Sequence, residues 1–595
     1  MKKQLAYLID QPFLYLKNPT DMNIKHHTKK FYFTIVFCLI LLLAALFRFY
    51  GTDWDNGFHL HPDERAIVLY TLPLNFPKTV TQYLSPNSPL NPHFFAYGSF
   101  PLYFLKIVSI FASLHNPVYA TYDGINILGR DLSVLFELCS MLLIFNISKL
   151  VASKKIGLLA MFFYAVSTFP IQNSHFYTVD AQLCFFILLT LYFILKYYEH
   201  PSLKFSVLLG LSFGLSLVTK DTGLILLSTI ILTYLLSLLL LKSHLNKNHF
   251  WKTYISKNAK LIIFSPIFFI VTVLLIIVLF EPYALIDFSS FWLQTQQQSQ
   301  MTHNAFIFPY TLQYVGIIPY YYELKNIFLW GQGPMLAIIC YIGTGYAFVK
   351  AIRNLNEKHW RNILVLFLFF IPYFLIVGNF SVAFMRYMLP LYPLLCIFGG
   401  LFFYYVFNYM HKTYPRIGYY IIGIFILCSI VIWPLSFMHI YSYPNTRVQA
   451  SNWIYQNIGQ NKTLAVEHWD DQLPLGDSIK YSTLILPLYN PDTGDKWLGV
   501  HQILQHTDYI IIASNRLYVP LQKLTDCTKL PTQFCYKRTA SYYHDLFSGK
   551  LGFKKVAQFS EYPTIPLLGI QINDQSADES FTVYDHPIVM IFKKI

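Results

Sequence analysis

The stretch "WDNGFHLHPDERA", Trp54 to Ala66, sets Asp55, Asp63, Glu64 and Arg65 beside His59 and His61, just beyond an apolar run, Phe31 to Phe49, long enough to cross a membrane. An adjacent acid pair in a solvated loop is by default surface charge. Here Asp63 and Glu64 follow the span closely, aromatics and histidines surround them, and ionisable residues recur at the ends of later apolar runs. Asp180 lies in "SHFYTVDA", Lys220 and Asp221 in "VTKDTG", and Arg386 in "FMRYMLPLYPLL". Ionisable groups at membrane depth are costly and usually have a task or a partner. His59, His61 and His175 with Asp63 or Glu64 also offer the donor types of a zinc or manganese site, which makes a divalent metal a candidate cofactor.

These residues must be held by membrane-spanning elements. Of 595 residues 55% are hydrophobic and 12% charged, and mean hydropathy is +0.42, too much apolar surface for one soluble core. Eleven runs reach spanning length, at about 31–49, 131–150, 156–174, 180–197, 204–219, 223–241, 261–280, 331–350, 362–378, 388–408 and 417–437. A further run, Phe94 to His115, is broken by Gly98 and Pro101 and is expected to lie in the outer leaflet. With a cytoplasmic N-terminal segment (1–30), Lys149, Lys154, Lys155, Lys350, Arg353, Lys358 and Arg361 fall inside, and most acids fall outside. The net charge of +14 is then the positive-inside bias of a plasma-membrane protein, and nucleic acid is not an expected partner.

Two long connections face outward, residues 50–130 and 281–330; the second carries "WLQTQQQSQMTHN", Trp292 to Asn304, expected as a polar surface loop. After Phe437 the composition turns polar. A helix at "NTRVQASNWIYQNI" and strands at "TLAVEHW", "DYIIIASN", "KKVAQF" and "IVMIFKK" predict a soluble α/β domain over 438–595, placed outside by the odd number of spans. Within it "EHWDD", Glu467 to Asp471, offers acids and an aromatic of the kind that contacts carbohydrate. No CxxC pair occurs among the eight cysteines; Cys527 and Cys535 lie in this polar region and could form a disulfide there.

The acid pair in the first external loop, "GRDLS" from Gly129, "SHFYTVDA", and "FMRYMLPLYPLL" before the tenth span occur in an order that resembles the GT-C glycosyltransferases. More narrowly, the chain resembles the bacterial protein O-mannosyltransferase-like branch of the dolichyl-phosphate-mannose-protein mannosyltransferase family, related to the lipid A aminoarabinose transferases. The resemblance covers the whole membrane part, 31–437. It implies an α-helical polytopic fold and inverting transfer of a sugar, mannose or a relative, from a polyprenyl-phosphate donor to a protein, lipid or glycan acceptor outside. Asp63 matches the family's first acid and is the implied general base, with Glu64 orienting the acceptor or raising the pKa of Asp63.

Negative charge develops on the departing lipid phosphate, and Arg386, Arg130 and Lys220 are the candidates to meet it. Arg65 is a further candidate, although the aminoarabinose enzymes place their arginine three residues after the first acid and Arg65 follows the pair directly. Asp180 matches an acid at the start of the fourth span and is expected to line the site with His61 and His175. Two other readings fit many spans with intramembrane charge: a transporter or flippase of lipid-linked sugars, and a non-catalytic glycan-assembly scaffold. Against the first, the charges gather at one face and no paired repeat with broken helices is apparent.

Overall fold

A computed structural model describes residues 19–243, 250–413, 415–476 and 480–595; residues 1–18 of the basic segment 1–30 lie outside the described residues. Among the described residues eight helices are long and apolar enough to cross a membrane, and the bent pair Lys154–Ala165 and Thr168–Ser174 makes a ninth. The shorter apolar helices Leu203–Leu217 and Asp221–Ser237 occupy the two remaining expected positions. The helix Phe100–Ser113, within the interrupted run, has 14 residues and is about 21 Å long, too short to span about 30 Å of hydrocarbon.

The 62° bend at Val166–Ser167 was not legible in the apolar pattern. Pro170 has no N–H for the Val166 carbonyl and its ring excludes a straight helix there. Arg48, at the end of the first span, donates to carbonyls at the bend, those of Tyr164 (3.3 Å) and Ala165 (3.2 Å), and lies 3.6 Å from Glu137. A break inside hydrocarbon is tolerated only with such replacement partners. Gly98 makes a second close junction: its N–H donates to the Thr219 carbonyl at 3.2 Å, and an added Cβ would lie 2.0 Å from the Val218 oxygen. That contact brings the first long loop, residues 50–130, against the turn that carries Lys220.

The second long connection, residues 281–330, differs from expectation. "FSSFWLQTQQQSQMTH" is a helix, Phe288–His303, because a run of glutamines between apolar residues has good helix propensity and no breaker.

From Thr446 the chain builds a mixed sheet ordered β2 (Ser482–Leu486), β1 (Thr463–Glu467), β3 (Tyr509–Ile512), β7 (Val589–Lys594) and β4 (Phe553–Phe559), parallel across the first three. Helix Thr446–Asn457 and four of these strands correspond to the expected elements; β2 and the helices Gly494–His506 and Lys537–Ser548 are additional. Successive residues of β1 and β3 enter different cores: Ala465, Ile510 and Ile512 pack on one side of the sheet, Leu464, Val466, Tyr509 and Ile511 on the other. Burial on both faces explains the unbroken apolar "YIII". Cys527 and Cys535 are joined as a disulfide.

A segment from Asp574 to His586 ties this sheet to the spans. Phe581, Val583 and Tyr584 join the same buried core as Phe437 and Trp330. His586 is enclosed between Asp574 (Nε2 to Oδ2, 2.8 Å) and Asp585 (Nδ1 to Oδ1, 2.5 Å), and Asp585 also accepts from Gln172 and Tyr441 at 2.9 Å each. Burial alone would lower the His586 pKa, but Asp585 and then Asp574 overcome it and raise it to about 10. A raised folded-state pKa gives stability that is complete below the unfolded value near 6.5 and is lost as pH rises through about 10. The difference in Tm between wild type and His586→Gln, measured in detergent, is therefore expected to be large at pH 6 and to shrink toward pH 10; a constant difference would contradict the imidazolium clamp.

Candidate active site

The acid pair opens the helix Pro62–Thr71. His61 is its N-cap, accepting from the Asp63 N–H at 3.3 Å through Nδ1, and Pro62 occupies the first turn, where a missing N–H does no harm. Burial pushes the His61 imidazole down to about 3, so it is neutral and carries its proton on Nε2. Adjacent helical residues point about 100° apart, and the two acids accordingly have different surroundings.

Glu64 turns into the protein. Arg130 holds it with two bonds, Nε to Oε1 at 2.9 Å and Nη2 to Oε2 at 2.8 Å, and the Tyr177 N–H donates to Oε1 at 2.6 Å. The same guanidinium donates to Asp55 at 3.1 and 2.7 Å and to the Thr52 carbonyl at 2.8 Å. Arg130, Glu64 and Asp55 are all sealed from solvent. Glu64 as the residue that orients the acceptor or raises the pKa of Asp63, and Arg130 as a phosphate ligand, are thus corrected: every N–H of Arg130 is committed, and both side chains sit behind the site.

Asp63 turns the other way, into a cavity of about 1120 Å³. It is paired with Arg386 from the short turn Met385–Leu391, and Arg386 Nε is 3.9 Å from Asp180 Oδ2. Lys220 closes the chain, its Nζ 2.7 Å from Asp180 Oδ1 and 4.7 Å from the Tyr387 ring centre. Carboxylates and cations alternate through Asp63, Arg386, Asp180 and Lys220. Arg386 Nε has no hydrogen-bond partner. Desolvation would raise the Asp63 carboxyl, but the Arg386 guanidinium outweighs it and holds it at about 2.

Arg65 also lines the cavity and pairs with Asp471 at 2.8 Å. Asp180 lies one layer back, orienting Lys220 and Arg386. His175 is fully buried, with both ring nitrogens against carbonyls, those of Ile171 (2.8 Å) and Tyr50 (2.9 Å), and does not line the site. The metal set does not assemble: His59 pairs with Asp123 at 2.7 Å, His61 caps a helix, and among the described residues no three His, Cys, Asp or Glu side chains are grouped to hold an ion.

The cavity has two unlike ends. On one side Leu227, Ile231 and Ile376 carry it to the lipid-facing surface, where Ile231 and Ile376 are about half exposed. On the other side stand Trp469, Arg516, Glu579 and Tyr584 from the C-terminal sheet and its connections.

As a whole the fold is similar to that of the apo oligosaccharyltransferase of Archaeoglobus fulgidus, with a TM-score of 0.52 at 11% identity over 96% of this chain and 89% of that one. The chain has the GT-C fold. Residues 128–285 match the model of the dolichyl-phosphate-mannose-protein mannosyltransferase family, the family its motifs resemble. Two further structures are similar at lower scores: the Archaeoglobus fulgidus oligosaccharyltransferase AglB in complex with an inhibitory peptide and a dolichol-phosphate (TM-score 0.48, 13% identity, 95% of this chain and 89% of that one), and ArnT from Cupriavidus metallidurans bound to undecaprenyl phosphate (0.40, 12%, 82% and 94%). No curated protein matches the chain by sequence.

In this GT-C chain the cavity residues that sequence reasoning missed are Arg516, Glu579 and Tyr584, with Tyr97 and Tyr387 beside the charged chain. Trp469 to Asp471 follow β1 and Arg516 follows β3, so the loops that reach the cavity leave the carboxyl ends of parallel strands, the general place for ligands in open α/β sheets. That rule is the signal that could have singled out "SNR". Removing Arg130 should leave Asp55 and Glu64 buried without a cation, a loss of about 3–5 kcal/mol. Arg130→Gln is therefore expected to lower Tm in detergent far more than Arg386→Gln; equal changes would contradict a structural Arg130.

Proposed function

We propose that the protein is an inverting membrane glycosyltransferase that moves a sugar from a polyprenyl-phosphate donor to a hydroxyl-bearing acceptor at the outer face of the membrane. The observation that carries this reading is the position of Asp63: its carboxylate faces a large cavity, beside Arg386 and Lys220, with a lipid-facing apolar wall on one side and the C-terminal sheet on the other. A prenyl chain fits along Leu227, Ile231 and Ile376, a smaller apolar cavity of about 290 Å³ shares Leu227 and Ile231, and the phosphate then falls by Arg386 and Lys220. The family model matched by residues 128–285 supports mannose or a related hexose as the sugar.

In the reaction the acceptor oxygen bonds to C1 as the bond from C1 to the phosphate oxygen breaks. The acceptor proton passes to Asp63, and the electron pair leaves with the phosphate. A carboxyl held at about 2 is a weak base, and the free Arg386 Nε indicates how it is strengthened. A donor phosphate competes with Asp63 for the guanidinium, which restores the carboxylate's affinity for a proton only when donor is bound. Arg65 and the tail residues Trp469, Arg516 and Tyr584 form the acceptor side. The Cys527–Cys535 disulfide supports an extracytoplasmic location for residues 438–595, since such bonds persist in oxidising compartments.

The test is release of radiolabelled sugar from a panel of polyprenyl-phosphate sugars by protein in lipid nanodiscs. Asp63→Asn is expected to fold, with a Tm lowered by loss of the Arg386 pair, and to be slower by about 10²- to 10⁴-fold. Equal rates would remove Asp63 as the base. Absence of release by the wild type from every donor would overturn the transferase reading in favour of transport or scaffolding.

A further inference from the structure

From Tyr562 to Asn573 the chain contains no charged residue. Its centre is the small hairpin of β5 (Thr564–Ile565) and β6 (Ile570–Gln571), closed by bonds from the Gly569 N–H to the Ile565 carbonyl and from the Ile572 N–H to the Pro563 carbonyl. The tip, Pro566 to Gly569, carries Leu567 and Leu568. Leu567 is fully exposed and Leu568 is 69% exposed, with Ile570 at 53% beside them. Leu567 also has φ +66°, a left-handed conformation that is uncommon for a leucine and that turns its side chain away from the hairpin. A soluble surface gains nothing from an uncharged tip of this kind.

The neighbour of this hairpin is a membrane span. β5 packs against the last spanning helix, Arg416–Met438, whose Phe425, Ile432 and Leu435 are exposed toward lipid. The leucine tip therefore continues a lipid-facing surface. The residues that follow, Asp574 to His586, lead directly into the segment that brings Glu579 and Tyr584 to the cavity wall.

We propose that the hairpin Thr564–Gln571 is a shallow membrane anchor: Leu567 and Leu568 insert among the headgroups and upper acyl chains of the leaflet on the side of the C-terminal sheet, next to the last span. The turn's unpaired backbone groups limit the depth, because they must still reach water or headgroups. Anchored there, the sheet is held at a fixed height over the cavity by lipid as well as by the His586 clamp.

The test uses the full chain in nanodiscs, with exposed Cys38, Cys139 and Cys428 replaced by serine and an environment-sensitive NBD label on Leu567→Cys. Lipids with a spin label near the headgroup are expected to quench it at least about two-fold more than the same label on Lys550→Cys, an exposed turn of the sheet region, with a blue-shifted emission. Ile570→Cys, read in parallel, keeps the test intact if one labelled variant misfolds. Quenching at both hairpin positions no greater than at Lys550 would overturn the anchor and leave the tip as a contact for another protein.

Discussion

A guanidinium sealed from water must find an acceptor for every N–H, and Arg130 finds them in Asp55, Glu64 and the Thr52 carbonyl. Much of this end of the helix bundle depends on that requirement. Through Asp55 and Thr52 it ties the start of the long loop 50–130 to the helix Tyr122–Val151, and through Glu64 and the Tyr177 N–H it fixes the approach to the helix Val179–Glu199. Removing one partner from such a buried cluster leaves an uncompensated charge, so the network is rigid by necessity. The orientation of Asp63 follows from it, one residue earlier and a quarter-turn round the helix.

The same electrostatics recur at the cavity in a less complete form. Asp63, Arg386, Asp180 and Lys220 alternate in sign, yet Arg386 keeps an unbonded Nε and Asp63 remains partly accessible. A fully satisfied cluster builds structure; one with capacity left over can exchange partners with an incoming anion. The contrast between Arg130 and Arg386 separates scaffold from site more clearly than residue type does. Both stand beside the most enclosed helices, which limits how far either can drift.

The C-terminal part completes the cavity instead of merely following the spans. Its parallel strands point their carboxyl ends at the membrane part, and Trp469, Asp471 and Arg516 arrive on the loops that leave them. The salt bridge from Arg65 to Asp471 and the docking of Phe581 into the core of the spans make the two parts one structure. Burial of Phe581, Val583 and Tyr584 supplies the apolar contribution to that docking, and the paired charges of His586 supply its register.

By itself the sequence determined the membrane class, the positions of the apolar helices, four of the five strands of the main sheet and the acid pair as the place to look, because apolar runs, alternation and isolated charges are local properties of the chain. It could also pick out Lys220 and Arg386, since a charge at the end of an apolar run is conspicuous. Local signal does not carry side-chain direction between distant segments. Only the tertiary structure decided that Asp63 faces the cavity while Glu64, Arg130 and His175 are buried behind it, that Pro170 bends a span whose carbonyls Arg48 then satisfies, and that Arg516, Glu579 and Tyr584 belong to the site at all. Those outcomes depend on which partner, hundreds of residues away, reaches each buried polar group first, and no spacing along one chain encodes that competition.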